Sequence, residues 1–595
     1  MIFSERQRLF NLPRSTWNDY NTALISEGGG IFSRSAKSIK LSAPMQAVLQ
    51  ITADEIVPNE LIRALLKAPV DLLWNGGIGT YVKASQERSM DVGDKTNDMV
   101  RINGKELRCL VIGEGGNLGM TQLGRVEYSL AGGICFTDFI DNVGGVDCSD
   151  HEVNIKILLD TIVANGDLTE KQRNALLVEM TDEVGKLVIT DCYRQTQSLS
   201  WAASRSSSTL DEYQRFIATL ERLGQLDRDL ANLPSDVQMA ERKNKGQGLT
   251  RPELCMVMAY SKILLKEQLL ASSVPEDLYL RKELGSAFPA RLTELFATQM
   301  GQHRLNREII ATQIANMVNN EMGATFIQRL FDETGASASD VVRAFMAARE
   351  VFDMGEYWRA IEALDNKVNS AVQLQMMTEL VRLLRRVTRW FLRNRRQMDD
   401  IGAIVSQFST KIKELRSALP NVLVGSELEK VNEVVESYVS VGVPTELAWG
   451  IATASPMVSA LDIIEAANMH KRDIQEFAQA YFALGSELQL DWFRSEISHH
   501  PVTSNWDALA RAACKDDLDR QQRTLTEGVL RYKKHDKANI EESLASWGEE
   551  QKVLVERWFY MMVDLKTTKI RQFTMFAVAL RELVDLAQSS LMKKT

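Results

Sequence analysis

The chain is poor in proline, which accounts for 12 of its 595 residues, against an average usage of about 5%. Because proline interrupts the hydrogen-bond ladder of a helix, this scarcity favours long helices. The chain also lacks any run of about 18 consecutive apolar residues. Its first ten residues, MIFSERQRLF, lack the basic and then apolar pattern of a secretory leader. We therefore expect no membrane-spanning segment and a cytoplasmic location.

The sequence also has no excess of basic residues and no metal-binding pattern. Its 70 Lys and Arg residues are outnumbered by 79 Asp and Glu residues, for a net charge of -9, which argues against binding to nucleic acid or to a membrane surface. The six cysteines show no CxxC spacing, so we expect reduced, buried thiols. Asp91, Asp94 and Asp98 lack a cation-loop pattern, and His499 and His500 lack further ligands. No metal is predicted.

Glycine is concentrated at the start of the chain, where residues 1–150 hold 17 of the 34 glycines. In this part short apolar runs, typical of buried strands, alternate with the helical patterns Asn59–Lys67 and Gly119–Leu130. Parallel strands joined by helices form a sheet covered on both faces, and ligands bind where the carboxyl ends of the strands open into loops. We predict that three Gly/Asn loops line one crevice. The strands and the loops that follow them are Val70–Trp74 with Asn75–Thr80, Leu107–Ile112 with Gly113–Asn117, and Ile134–Phe136 with Asn142–Gly145.

After about residue 160 the sequence consists of amphipathic helical patterns. Thr169–Gln172 and Thr250–Glu253 are capping boxes, and Ser339 is predicted to begin a further helix. We therefore predict an α/β region over residues 1–160 and an all-α region over 161–595, with a weak subdivision near 332–339. Seven arginines share the predicted helix Arg382–Arg396. They could bind an anion or an acidic partner, but a solvated face paired with neighbouring acidic helices is favoured, because helix charges are usually structural.

The loop after the second strand does not by itself identify a cofactor. Gly113–Gly119 follows a strand and opens a helix, but its spacing is GxGxxxG, and no GxGxxG occurs anywhere in the chain. An ordinary tight turn and a ligand loop both remain open for this segment alone.

Four longer segments make the sequence recognisable. They are VDLLWNGGIGTYVKAS (70–85), VIGEGGNLGMTQLGRVEYSLAGG (111–133), DNVGGVDCSDHEVNIKILL (141–159) and GLTRPELCMVMAYSKI (248–263). Together they closely resemble the large, multidomain class of bacterial NAD-specific glutamate dehydrogenases. The resemblance implies an incomplete Rossmann-type, parallel-sheet nucleotide domain in residues 1–160 and a large helical C-terminal region in 161–595.

The resemblance also implies roles for individual residues. Three elements of the family would contact NAD: a turn over the cofactor, an element beside the nicotinamide ribose and an element that holds the nicotinamide amide. In this sequence the matching positions are Asn75, Gly76 and Gly77, then Glu114, Gly115, Gly116 and Asn117, then Asn142, Gly144 and Gly145. Ser149 corresponds to a serine that helps bind the substrate carboxylate.

The activity implied is NAD-dependent oxidative deamination of L-glutamate to 2-oxoglutarate and ammonium, in a homo-oligomer. The family's acid/base lysine and aspartate have no match here, nor does its phosphate-binding turn, so no catalytic residue is assigned. We therefore expect the chain to be the C-terminal part of a longer enzyme, with its catalytic residues upstream, and to be inactive alone. Two alternatives remain open: a non-catalytic assembly or regulatory protein with a remnant nucleotide domain, and an amino-acid dehydrogenase of different side-chain specificity.

Overall fold

A computed structural model of the chain describes residues 2–395, 398, 400–502, 505–532, 539–569 and 571–592. It is 69% helical and divides into two compact units. Unit 1 comprises residues 1–271 and 275–325, and unit 2 comprises residues 272–274 and 326–595. Among the described residues every strand lies in unit 1, before residue 115. The predicted order, mixed α/β structure followed by helices, is confirmed at this level.

Unit 1 contains all the strands of the described residues and the first half of the helices. Its strands are β1 Ile39–Lys40, β2 Glu55–Ile56, β3 Leu72–Asn75, β4 Val82–Lys83, β5 Ile102–Asn103 and β6 Val111–Glu114. Its helices are α1 Ile2–Phe10, α2 Ala43–Leu49, α3 Pro58–Leu66, α4 Ser89–Val92, α5 Gln122–Leu130, α6 Asp138–Asp141, α7 Gly144–Ala164, α8 Glu170–Glu179, α9 Thr181–Arg205, α10 Leu210–Arg222, α11 Asp236–Asn244, α12 Arg251–Leu270, α13 Lys282–Gly285, α14 Ala290–Met300 and α15 Asn306–Met322.

Unit 2 is helical throughout its described residues. Its helices are α16 Phe326–Thr334, α17 Ala338–Val351, α18 Met354–Glu362, α19 Ser370–Asn394, α20 Ile401–Val422, α21 Gly425–Val439, α22 Thr445–Ala452, α23 Ala460–Met469, α24 Ile474–Glu487, α25 Leu490–His499, α26 Asn505–Leu530, α27 Ile540–Glu550, α28 Lys552–Thr567 and α29 Phe573–Leu591. One of its cores is aromatic: the Phe493 ring lies 5.5 Å from the Trp558 ring and 5.6 Å from the Phe576 ring, centre to centre.

The strands form three short pairs. β3 and β6 are parallel, with Leu72 opposite Val111 and Asn75 opposite Glu114. β4 and β5 are also parallel, and β1 pairs with β2 in antiparallel fashion. The predicted strand at residues 134–136 is reduced to a single parallel bridge between Ile134 and Val111.

The predicted covering of both sheet faces fails at β3. Leu72 and Trp74 are 56% and 62% exposed, so in the described residues that face of the strand is largely uncovered. A buried core on the other side includes Ile112, Met120 and Tyr128. The two predicted helices of this region are present as α3 and α5.

Local hydrogen bonds set the helix ends. α5 begins at Gln122, three residues later than predicted, because the Thr121 hydroxyl caps it by accepting from Gly124 N at 3.0 Å. Both predicted capping boxes form; in the second, Glu253 Oε2 accepts from Thr250 N at 2.7 Å. The predicted start at Ser339 is wrong by one residue, because Ser337 caps α17 and the helix begins at Ala338.

The arginines of α19 bind acidic side chains of neighbouring helices. Arg386 lies 2.7 Å from Asp519, and Arg389 lies 3.0 Å from Asp516. These pairs favour the structural interpretation of this helix over an anion site. Arg396 lies outside the described residues.

No single helix of the described residues has both the length and the apolar character needed to cross a membrane. Thr445–Ala452 and Pro456–Met469 meet that standard only when taken together, and they are bent by 57° relative to each other.

Candidate functional site

The loops after β3 and β6 leave the sheet from the same edge. Because the strands are parallel and in register, Asn75 ends one strand beside Glu114, which ends the other. Gly116 N donates to Asn75 O at 3.0 Å, and Thr80 Oγ1 donates to Leu118 O at 2.7 Å. The two loops are thus bonded to each other directly beyond the strands.

Some glycines are required by this packing and others are not. A Cβ atom on Gly116 would lie 2.3 Å from Gly77 O, and one on Gly115 would lie 2.5 Å from the Trp74 ring. By contrast, a Cβ on Gly77 or Gly145 would meet nothing within 4 Å. Neither of these two glycines has a positive φ. The protein's own packing therefore explains Gly115 and Gly116 but leaves Gly77 and Gly145 unexplained.

The third predicted loop joins the other two. Asn142 Nδ2 donates to Asn117 Oδ1 at 2.5 Å, so the two asparagines singled out in the sequence are in contact. Helix α6, just before Asn142, is bonded to the second loop through two aspartates. Leu118 N donates to Asp138 Oδ2 at 2.8 Å, and Glu114 N donates to Asp141 Oδ2 at 2.9 Å. The structure thus brings the three loops together, as predicted.

Glu114 lies in a different environment from the other predicted cofactor residues. Its side chain is buried, and its two carboxylate oxygens accept from Arg125 Nε at 2.6 Å and Arg125 Nη2 at 2.9 Å. Arg125 Nη2 also lies 3.2 Å from Asp138 Oδ1. The carboxylate therefore fastens β6 to α5, and its Oε2 also accepts from Met120 N at 3.2 Å, at the end of the second loop. This geometry favours a positioning role for Glu114 over direct contact with a ligand.

Gly144 and Gly145 are the first two residues of α7, so the interpretation of this segment as a loop is wrong beyond Val143. The first N–H groups of a helix have no intrahelical acceptor, and they give this end a partial positive charge. The start of α7 thus offers free N–H groups beside Asn142. Ser149 lies further along the same helix and is exposed.

The sheet edge where the three loops meet combines polar amides with apolar and ionisable groups. Ile78, Leu118 and Val146 are 91%, 64% and 64% exposed and supply apolar surface next to the asparagines. Leu118 has a left-handed backbone conformation, φ 57°, which is uncommon for a non-glycine residue. Burial raises the pKa of Asp141 to about 6.

Three residues that organise the loops were missed from the sequence: Arg125, Asp138 and Asp141. The signal available was their position, since each lies within or beside a recognised segment. The expectation of buried cysteines is wrong for Cys148, which is exposed, and for Cys192, which is half-buried.

A cluster with metal-ligand chemistry was also missed. Asp147, His151 and Asp191 place their ligand atoms within 4.8 Å of one another, although no metal was predicted. Asp191 lies 40 residues beyond His151 in the sequence, so spacing alone could not connect them.

Comparisons with known proteins give matches along most of the chain. The family model described as "Bacterial NAD-glutamate dehydrogenase, catalytic domain" matches residues 1–202, and "Glutamate dehydrogenase, C-terminal" matches residues 246–585. Curated proteins named NAD-specific glutamate dehydrogenase are similar: those of Pseudomonas aeruginosa, Halomonas elongata and Mycobacterium tuberculosis are 54%, 48% and 39% identical. Each alignment covers 99% of this chain and 36% of the relative. The chain thus spans just over a third of the length of these relatives.

Proposed function

The chain belongs to the bacterial NAD-glutamate dehydrogenase family, and we propose that its three loops bind the nicotinamide half of NAD in an enzyme that oxidatively deaminates L-glutamate. The names of the family and of its similar members supply the cofactor and the substrate. The single observation that supports the location is the contact of Asn142 with Asn117, which follows the carboxyl end of β6 in the parallel β3–β6 pair. Ligands bind in this position in parallel α/β sheets, and we propose a Rossmann-type fold for residues 1–160 on the same grounds.

The two asparagines have the chemistry to hold a carboxamide. An amide side chain both donates and accepts hydrogen bonds, as the carboxamide of nicotinamide does. Their contact is a single hydrogen bond, from Asn142 Nδ2 to Asn117 Oδ1. Each retains bonding capacity beyond that contact, which a bound carboxamide can use.

Gly77 and Gly145 supply room for a flat ring. Both glycines are exposed, and a Cβ atom at either would have no protein atom within 4 Å. Glycine at such a place allows a ligand to approach the backbone closely. Gly145 belongs to the first turn of α7, and Ser149, on the same helix, is the proposed contact for the substrate carboxylate.

Bound NAD would accept the hydride from Cα of glutamate. The contribution of this chain is to orient the ring and to exclude water from one side of it, using the exposed apolar side chains of Ile78, Leu118 and Val146. No acid/base group is assigned to these loops. The longer enzyme, the inactivity of the chain alone, the cytoplasmic location and the homo-oligomer stay predictions.

Steady-state kinetics on the natural protein that contains this chain tests the proposal. Asn117→Ala and Asn142→Ala should each remove about 1–3 kcal/mol of transition-state stabilisation, or roughly 5–150-fold in kcat/KM. Asn174→Ala, at an exposed position on α8, is the matched control and should leave kcat/KM unchanged. Wild-type efficiency in both loop variants would refute the cofactor assignment. A panel of amino acids in which another substrate outperforms glutamate would favour the alternative specificity, and turnover of none would favour the non-catalytic alternative.

A further inference from the structure

Three side chains of metal-binding type meet where α7 packs against α9. Asp147 and His151 are four residues apart on α7 and therefore share one face of that helix. Asp191 reaches them from α9. His151 Nε2 lies 3.8 Å from Asp147 Oδ2 and 3.7 Å from Asp191 Oδ2. All three belong to unit 1.

The histidine is held in one orientation by a backbone group. His151 is only 6% exposed, and its Nδ1 lies 2.9 Å from Ala287 O. A carbonyl oxygen can only accept a hydrogen bond, so Nδ1 carries the hydrogen. In the neutral ring, the lone pair of Nε2 therefore faces the two carboxylates. This is the arrangement in which a histidine binds a metal through Nε2 while Nδ1–H is fixed by a second partner.

When the His151 ring is neutral, the acceptors in this cluster lack a matching donor. The distances of 3.7 and 3.8 Å from Nε2 exceed the usual hydrogen-bond range of about 2.7–3.2 Å. Asp147 Oδ2 is buried and has no hydrogen-bond partner among the described residues. The nearby ammonium of Lys262 donates to Gln195 Oε1 at 2.7 Å. In that form three ligand atoms with lone pairs lie within 4.8 Å of one another, where a cation would satisfy all of them.

We propose that Asp147, His151 and Asp191 bind a divalent transition-metal ion of the zinc or manganese type. One imidazole nitrogen with two carboxylates suits these borderline ions, whereas magnesium prefers oxygen ligands alone. The Asp191 side chain is 42% exposed, which gives the ion a path from solvent and leaves room for water ligands. The ion would tie the first two turns of α7 to α9. It would thereby position Gly144 and Gly145, but its binding does not depend on the NAD proposal.

Metal binding to the full 595-residue chain tests this directly. The chain is stripped with a chelator and titrated with ZnCl2 by calorimetry, and then with CoCl2, whose visible absorption reports the ligand geometry. We expect one zinc ion per chain and a higher melting temperature with zinc. Asp191→Asn, at the partly exposed ligand, and His151→Ala should each weaken binding at least tenfold, on the order of the losses seen when metal sites are altered. His499→Ala, at an exposed histidine outside the cluster, should bind like wild type.

Several results would overturn the proposal. Zinc binding that is substoichiometric or does not saturate would overturn it. So would an Asp191→Asn variant that folds and binds zinc with wild-type affinity. A loss of binding in His499→Ala equal to that in the cluster variants would mean adventitious binding by surface histidines. The neighbouring Asp191 also raises the pKa of His151. If nuclear magnetic resonance finds His151 protonated at neutral pH with excess zinc present, the cluster is an ion pair without metal.

Discussion

Alanine substitution at the loop glycines separates contact with a cofactor from ordinary turn geometry. Gly77→Ala and Gly145→Ala add a methyl group where nothing lies within 4 Å, and neither position has a positive φ. We expect both variants to fold as well as wild type. Replacing glycine also lowers the entropy of the unfolded chain, which contributes about 0.4–1 kcal/mol of stability. At Gly145 alanine is in addition the better helix former.

Gly116→Ala is the matched structural control. Its new methyl carbon would lie 2.3 Å from Gly77 O, well inside van der Waals contact, so one of the two loops must move. Overpacking of this kind costs about 1–3 kcal/mol. This variant should therefore lose stability in denaturant unfolding of the chain, in contrast to the other two.

The assay compares unfolding with the NAD response of the active enzyme. If the nicotinamide ring contacts the backbone at Gly77 or Gly145, a methyl group there should cost at least about 1.4 kcal/mol of binding, which is tenfold in the KM for NAD. Normal KM values in both open-site variants would refute the placement of the cofactor. Wild-type stability in Gly116→Ala would refute the described packing of the two loops.

Two further predictions concern the buried charges behind the loops. Glu114→Gln should destabilise unit 1 by about 3 kcal/mol, because Arg125 keeps Asp138 as a partner at 3.2 Å. Arg125→Met should destabilise it by about 5 kcal/mol, because the buried Glu114 carboxylate loses its ion-pair partner. A fully stable Glu114→Gln variant that loses its response to NAD would instead place this carboxylate at the cofactor. Burial raises the pKa of Asp141 to about 6, so its protonated form stabilises the fold below about pH 4 and this stabilisation is lost as the pH rises through 6. The free energy of urea unfolding of Asp141→Asn, relative to wild type, should accordingly increase by about 1–3 kcal/mol as the pH rises from 4.5 to 7.5. A difference that stays constant over this range would contradict the burial of this group.

Local patterns in the sequence were sufficient to predict the elements that depend on neighbouring residues. The capping boxes at Thr169 and Thr250 form as predicted, because the residues that bond are three apart in the chain. The Gly/Asn segments after β3 and β6 also lie together as predicted, because parallel strands bring their carboxyl ends to one edge. The resemblance to a family supplied what these patterns could not, namely NAD and glutamate.

The tertiary structure decided the direction in which each side chain points. Glu114 belongs to a segment recognised as cofactor-binding, yet its carboxylate turns inward because Arg125 offers it two buried donors. Gly144 and Gly145 are helical although glycine favours loops, because the helix they begin is held by contacts further along α7.

Contacts between residues distant in sequence could not be predicted at all. The arginines of α19 pair with Asp516 and Asp519, more than a hundred residues away. His151 meets Asp191 and Ala287 only because α7, α9 and the segment before α14 pack together. Sequence by itself determined which chemical groups the chain possesses and where its local turns and caps form. Only packing decided which of those groups meet, because hydrogen bonds and ion pairs depend on distances of a few ångströms that sequence spacing does not encode.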